Sequence, residues 1–132
     1  MYESLVMVDP ADAITVEQLA AELRRFYEGK PGAPAEIVRS GQDIELRWPD
    51  YVLAVGRSRV PHVLEESKEI AEQAGQQHPA REQIASCTCR FEMSGDDDPD
   101  MDHFNDYLFV GEALCRLGRV YWFDQASCEF QE

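Results

Sequence analysis

Five aspartates fall within the seven residues from Asp96 to Asp102, and the stretch runs directly into His103-Phe104 and an amphipathic segment. The chemistry open to such a cluster is cation binding. Asp98, Asp100 and Asp102 match the 1, 3, 5 spacing that opens a calcium loop, where alternate carboxylates converge on one hard ion. The rest of that pattern fails. The sixth position is His103, where a glycine is needed, and the twelfth is Phe109, where a bidentate glutamate is needed. An EF-hand is excluded, while a looser Ca²⁺ or Mg²⁺ site on Asp98, Asp100 and Asp102, with Asp96 and Asp106 beside them, stays open. No other cofactor is implied. A purely structural role is also available, because Asp100 or Asp102 can cap the following helix and neighbouring carboxylates complement its dipole. Capping accounts for one or two aspartates but not for five.

A second chemistry is recognition of a basic protein. From Phe91 to Cys115 there are eight acidic residues and no Lys or Arg. Charges of one sign packed so densely repel each other and call for a solvated or cationic neighbour. The expected contact set is Asp96, Asp97, Asp98, Asp100, Asp102, His103, Asp106 and Tyr107, in which carboxylates steer a basic partner and the rings hold it.

Other constellations are thinner. His103 beside Asp102 and Asp106 could act as a general base, but a solvated loop histidine is the expectation. Arg57-Ser58-Arg59, just before a helix start, could hold a small anion, although pairing with the protein's own carboxylates is favoured. Cys87 and Cys89 are spaced C-x-C, which lacks the redox and zinc-ribbon spacing, and strand alternation would put both on a packed face. No H-E-x-x-H, G-x-S-x-G or P-loop motif is present. An enzyme acting on a small polar substrate is therefore the third reading, without a catalytic residue to name.

The elements that must position these groups follow from periodicity. Tyr2–Val8 reads as a strand, and Thr15 with Gln18 as a capping box opening a helix with Val16, Leu19, Ala20, Leu23, Phe26 and Tyr27 on one face. Glu36–Ser40, Ile44–Trp48 and Tyr51–Gly56 read as strands. A Pro49-Asp50 loop between the last two puts Trp48 opposite Tyr51, Leu46 opposite Leu53 and Ile44 opposite Val55. Pro61 opens a second helix that Gly75 ends, with a short helical turn near Ala80–Ile84. Ala85–Met93 alternates as a fifth strand. A third helix spans about Asp102–Leu117, packing Phe104, Tyr107, Leu108, Leu114 and Cys115, and Arg119–Phe130 forms a last strand. The order β-α-β-β-β-α-β-α-β implies one α+β domain over residues 1–132, a mixed and mostly antiparallel sheet with helices packed on it.

Composition sets the partner class. The chain has 26 acidic and 12 basic residues, a formal net charge of −14. Nucleic acid and anionic membranes would be repelled, since phosphate binding needs clustered Lys and Arg. Residues 1–20 carry neither a basic n-region nor a long apolar run, so the expected location is the cytoplasm, where the four cysteines would be thiols. The segment Asp100 to Phe130, with its Phe104-Asn105 helix opening and its Gly118 and Val120-Tyr121-Trp122-Phe123-Asp124 return strand, resembles parts of small bacterial domains of unknown function. Some of those are similar to immunity proteins of toxin systems. The resemblance covers about a quarter of the chain, carries over no functional residue, and implies a binding rather than a catalytic role. Oligomeric state is not legible.

Overall fold

The computed structural model describes residues 2–131. In chain order the elements are β1 (Glu3–Val8), α1 (Val16–Tyr27), β2 (Glu36–Ser40), β3 (Asp43–Trp48), β4 (Tyr51–Ser58), α2 (His62–Gln73), α3 (Arg81–Ala85), β5 (Arg90–Gly95), α4 (Phe104–Leu117), β6 (Val120–Asp124) and β7 (Glu129–Phe130). The strands form one sheet in the order β2-β3-β4-β5-β1-β6-β7. Each pairing between neighbours is antiparallel. The expected α+β domain is what forms.

Helices cover both faces of the sheet. On one, Leu19 and Leu23 of α1 and Val110 and Leu114 of α4 pack with Val6, Leu53 and Phe91. On the other, Ala71 of α2 and Ile84 of α3 pack with Met7 and Tyr121. Successive residues of β1 thus serve opposite layers, which is why Leu5 to Val8 are all buried and read as an unbroken apolar run. The capping box at Thr15 and Gln18 forms in both directions, a feature worth about 1 kcal/mol of helix stability. The β3–β4 register is the expected one, with Trp48 opposite Tyr51, Leu46 opposite Leu53 and Ile44 opposite Val55.

Four local expectations are corrected. The strand expected over 85–93 begins only at Arg90, because Ile84 is drawn into the second core and residues 81–85 coil into α3 to reach it. Cys87 and Cys89 therefore face different layers: Cys87 joins the α2–α3 core, and Cys89 packs against the larger one. The last strand is two, since a turn at 125–128 folds β7 back onto β6. Cys115 is exposed; the packed stripe of α4 is Tyr107, Val110, Gly111 and Leu114, at helical spacing. Gly111 belongs to that stripe because a Cβ there would lie only 2.1 Å from the Trp122 ring.

Candidate functional site

The acidic loop is built outward from the end of β5. The Gly95 amide donates to the Tyr2 carbonyl, and Asp96 prolongs the pairing with β4 by exchanging bonds with Val52, its amide to the Val52 carbonyl and its carboxylate from the Val52 amide. The chain then turns at Asp98, whose carbonyl accepts from the Met101 amide while Met101 takes a left-handed φ of 57°. One Asp98 oxygen accepts from the Asp102 amide at 3.0 Å, and the other from the His103 amide at 2.8 Å and the Tyr2 hydroxyl at 2.6 Å. The expected cap was Asp100 or Asp102. Among the described residues no side chain caps α4; Asp98 instead closes the turn ahead of the helix, through the amides of Asp102 and of the N-cap residue His103. Burial pushes its carboxyl up, but the Tyr2 hydroxyl and the two amides together hold it below the usual carboxylate range.

His103 stands at the centre of the cluster and is not a solvated loop histidine. Its ring stacks on Tyr51, with centroids 4.3 Å apart, and leans on Trp48 at 4.6 Å. Nδ1 lies 3.1 Å from Asp106, whose second oxygen accepts from the Tyr27 hydroxyl at 2.6 Å. A His–carboxylate–tyrosine chain therefore runs from the loop into α1. Burial and the Asp106 carboxylate push the Tyr27 phenol far above its ordinary range. The chain of contacts can hold a proton in place, but no Ser, Thr or Cys hydroxyl or thiol bonds to His103, so a nucleophile–base pair is not formed among the described residues.

Beside this cluster opens a cavity of about 220 Å³, lined by Asp50, Asp97, Asp98, Asp100 and Asp102 together with Tyr51, Pro99 and His103. Among the described residues five carboxylates and no Lys or Arg line it. Tyr51 is 3% exposed, and its hydroxyl is buried without a hydrogen-bond partner. Burial first, then Asp98, Asp96 and Asp106, push this phenol up to about 12, so it stays a neutral group able to donate or accept.

Of the residues expected to meet a partner, Asp97, Asp100 and Asp102 are exposed on this cavity. Asp96, Asp98 and Asp106 are engaged in the internal bonds above. Tyr107 is not available to a partner: it is 4% exposed, stacked on Tyr2 and edge-on to Trp122. Sequence reasoning missed Asp50, Tyr51 and Trp48. Their shared hairpin face was legible, but the β4–β5 pairing that carries the hairpin to the loop joins residues some forty positions apart.

The candidate ion sites can be placed as well. Among the described residues no group of three or more His, Cys, Asp or Glu side chains is placed to hold a metal ion. Arg57 and Arg59 do meet, in a cavity of about 140 Å³ that Asp9 and Asp12 also line. The Arg57 Nε donates to the Ile14 carbonyl at 3.0 Å. The nearest anions there are the protein's own.

No protein-family model matches the chain, and no curated protein or solved structure is significantly similar to it. Among the described residues no helix is long and apolar enough to cross a membrane.

Proposed function

We propose that this chain is a non-enzymatic binding protein that engages a basic protein partner through the aspartate loop and the N-terminal end of α4. The observation that carries the reading is the cavity between Asp50 and the loop, which five carboxylates and two aromatic rings line, with no Lys or Arg among its described lining residues. Lined in this way, it suits the guanidinium or ammonium group of an Arg or Lys side chain, which the carboxylates attract and the Tyr51 and His103 rings can flank. Neutralisation of a basic toxin in the cytoplasm, as an immunity protein does, is the sharpest form of the proposal, and the strong negative charge of the whole chain would steer such a partner toward it.

The test is capture and identification of a partner at low salt, followed by affinity measurement with purified proteins. An Asp97→Asn, Asp100→Asn, Asp102→Asn variant is expected to bind roughly tenfold more weakly or worse, with a flatter salt dependence. Equal affinity for variant and wild type removes the loop from the account. Saturable stabilisation by Ca²⁺ or Mg²⁺ that Na⁺ of equal ionic strength does not reproduce would instead favour a cation site on the same residues.

A further inference from the structure

The end of the sheet opposite the aspartate loop carries a cavity of different charge. The loop springs from the end of β1 and β5 where the Gly95 amide meets the Tyr2 carbonyl; at the other end the Val8 amide donates to the Cys89 carbonyl at 3.0 Å. Arg57, near the end of β4 and opposite Phe91, reaches this second end. By alternation it follows Leu53 and Val55 on the face that α1 and α4 cover. Its Nε donates to the Ile14 carbonyl, in the connector between β1 and α1, at 3.0 Å. Arg59 follows two residues on. It is exposed, and among the described residues no hydrogen bond or ion pair engages its guanidinium.

Arg57 and Arg59 line one cavity of about 140 Å³ with Asp9, Asp12, Thr88 and Cys89. The Asp9 carboxylate is fully engaged, one oxygen accepting from the Ala11 amide at 2.9 Å and the other from the Tyr121 hydroxyl. Asp12 gives one oxygen to the Arg119 amide at 2.7 Å. Among the described residues neither carboxylate forms an ion pair with Arg57 or Arg59. In a chain with 26 acidic and 12 basic residues, two neighbouring guanidiniums without a carboxylate partner call for an explanation. Burial raises the Cys89 thiol, while Arg57 and Arg59 both pull it down, so the field of both cations reaches the cavity wall.

Guanidiniums present paired N–H donors that match a tetrahedral oxyanion. A water takes up about 30 Å³ of liquid, so the cavity has room for a group of a few heavy atoms. Asp12 narrows the choice. Its second oxygen has no partner among the described residues, and it repels an anion that has no proton to give. Both forms of inorganic phosphate present near neutrality carry a P–OH that can donate to it. Sulfate carries none, and a phosphomonoester has lost most of its own, its second pKa being about 6.

We propose that this cavity binds inorganic phosphate, with Arg57 and Arg59 donating to its oxygens and Asp12 accepting from its P–OH. The aspartate loop takes no part, so the proposal stands apart from the partner-binding reading.

Calorimetric titration of the full chain with sodium phosphate near neutral pH tests it, with ionic strength held constant by NaCl and with sulfate and glycerol phosphate as comparisons. Saturable binding of phosphate at millimolar concentration or below, weakened about tenfold or more for sulfate and the ester, is the expected result. Arg59→Ala removes an exposed side chain that holds nothing else in place, and should weaken phosphate about tenfold or more with the melting temperature unchanged. Asp12→Asn keeps an oxygen for the Arg119 amide and replaces the free carboxylate oxygen by an amide donor. It should weaken phosphate and strengthen sulfate until the two bind alike, an exchange of preference that damage to the fold does not produce. The triple loop variant should bind phosphate within about twofold of wild type, since its charges are screened at this distance by ordinary salt. The assignment is overturned if phosphate does not bind at millimolar concentration, if sulfate binds wild type as well as phosphate does, if Arg59→Ala or Asp12→Asn changes neither affinity, or if the loop variant loses binding.

Discussion

The imidazole of His103 lies nearly parallel to the ring of Tyr51, their planes inclined by 9°. One ring belongs to the turn that enters α4, the other to the first residue of β4. This stack, with Trp48 beside it and Asp106 at its edge, clamps the aspartate loop to the sheet.

If the clamp holds the loop, His103→Ala should lower stability by about 1–2 kcal/mol, the sum of two aromatic contacts and a half-buried hydrogen bond. Urea denaturation measures it. Tyr51→Phe should behave differently, because it keeps the stack and deletes a hydroxyl that has no partner. That variant is expected to be within about 0.5 kcal/mol of wild type or slightly more stable. A large loss on Tyr51→Phe would mean that the hydroxyl serves a bound group.

The parts of this arrangement differ in how far the sequence reveals them. The capping box at Thr15 and the Trp48–Tyr51 register are local, set by residues within a few positions of one another, and both are readable from spacing. The crowding of aspartates is equally plain. Which aspartate anchors the turn before α4 is not, since that depends on Tyr2 reaching Asp98 across ninety-six positions. The start of β5 was hidden for a related reason. Ala85, Cys87 and Cys89 alternate like a strand, yet Ile84 is needed in the α2–α3 core, and packing there overrides the period-two pattern. Arg90 reads as one more exposed alternate residue until α2 is laid across it.

Asp9 gives a pH signature. The Tyr121 hydroxyl first, and the Ala11 amide next, hold its carboxyl below the ordinary 3.8 although burial opposes them. A depressed folded-state pKa means that the stabilisation is fully present above 3.8 and is lost as pH falls through the lower folded value. Tyr121→Phe removes the largest cause. It should destabilise the protein by about 1–3 kcal/mol near neutrality, and the deficit should shrink as pH drops below about 4. Denaturation of both proteins at several pH values checks the sign, and a deficit that grows on acidification contradicts it.

The thiols should react in the order of their exposure. Cys128 and Cys115 are exposed, Cys89 is intermediate and Cys87 is buried. Burial, then Asp9 and Cys89, push the Cys87 thiol up to about 12; burial also raises Cys89, against the pull of Arg57 and Arg59. Because the thiolate is the reacting species, native labelling is expected at Cys128 fastest, then Cys115, with Cys87 modified only after denaturation. Mass spectrometry of partially labelled protein reads this order. Fast native modification of Cys87 would show that the α2–α3 layer opens readily.

The last prediction separates a loop kept charged for a partner from one that serves the fold. Asp100 and Asp102 are exposed, and the Asp102 bond to Asp98 uses its backbone amide, so Asn at both positions leaves the turn intact. Two opposing effects remain. Removing the carboxylates relieves repulsion among the five on the cavity, and it also removes negative charge near the positive end of the α4 dipole. Each is worth only some tenths of a kcal/mol at the surface. If repulsion dominates, the double variant is more stable than wild type at low salt, and the gain fades toward 1 M salt as the screening length falls from about 10 to about 3 Å. That result means the native loop holds its charges at a cost to stability, as a surface shaped for a cationic partner does. A variant less stable at low salt would assign these two aspartates to the helix dipole, and the binding face would then rest on Asp50 and Asp97.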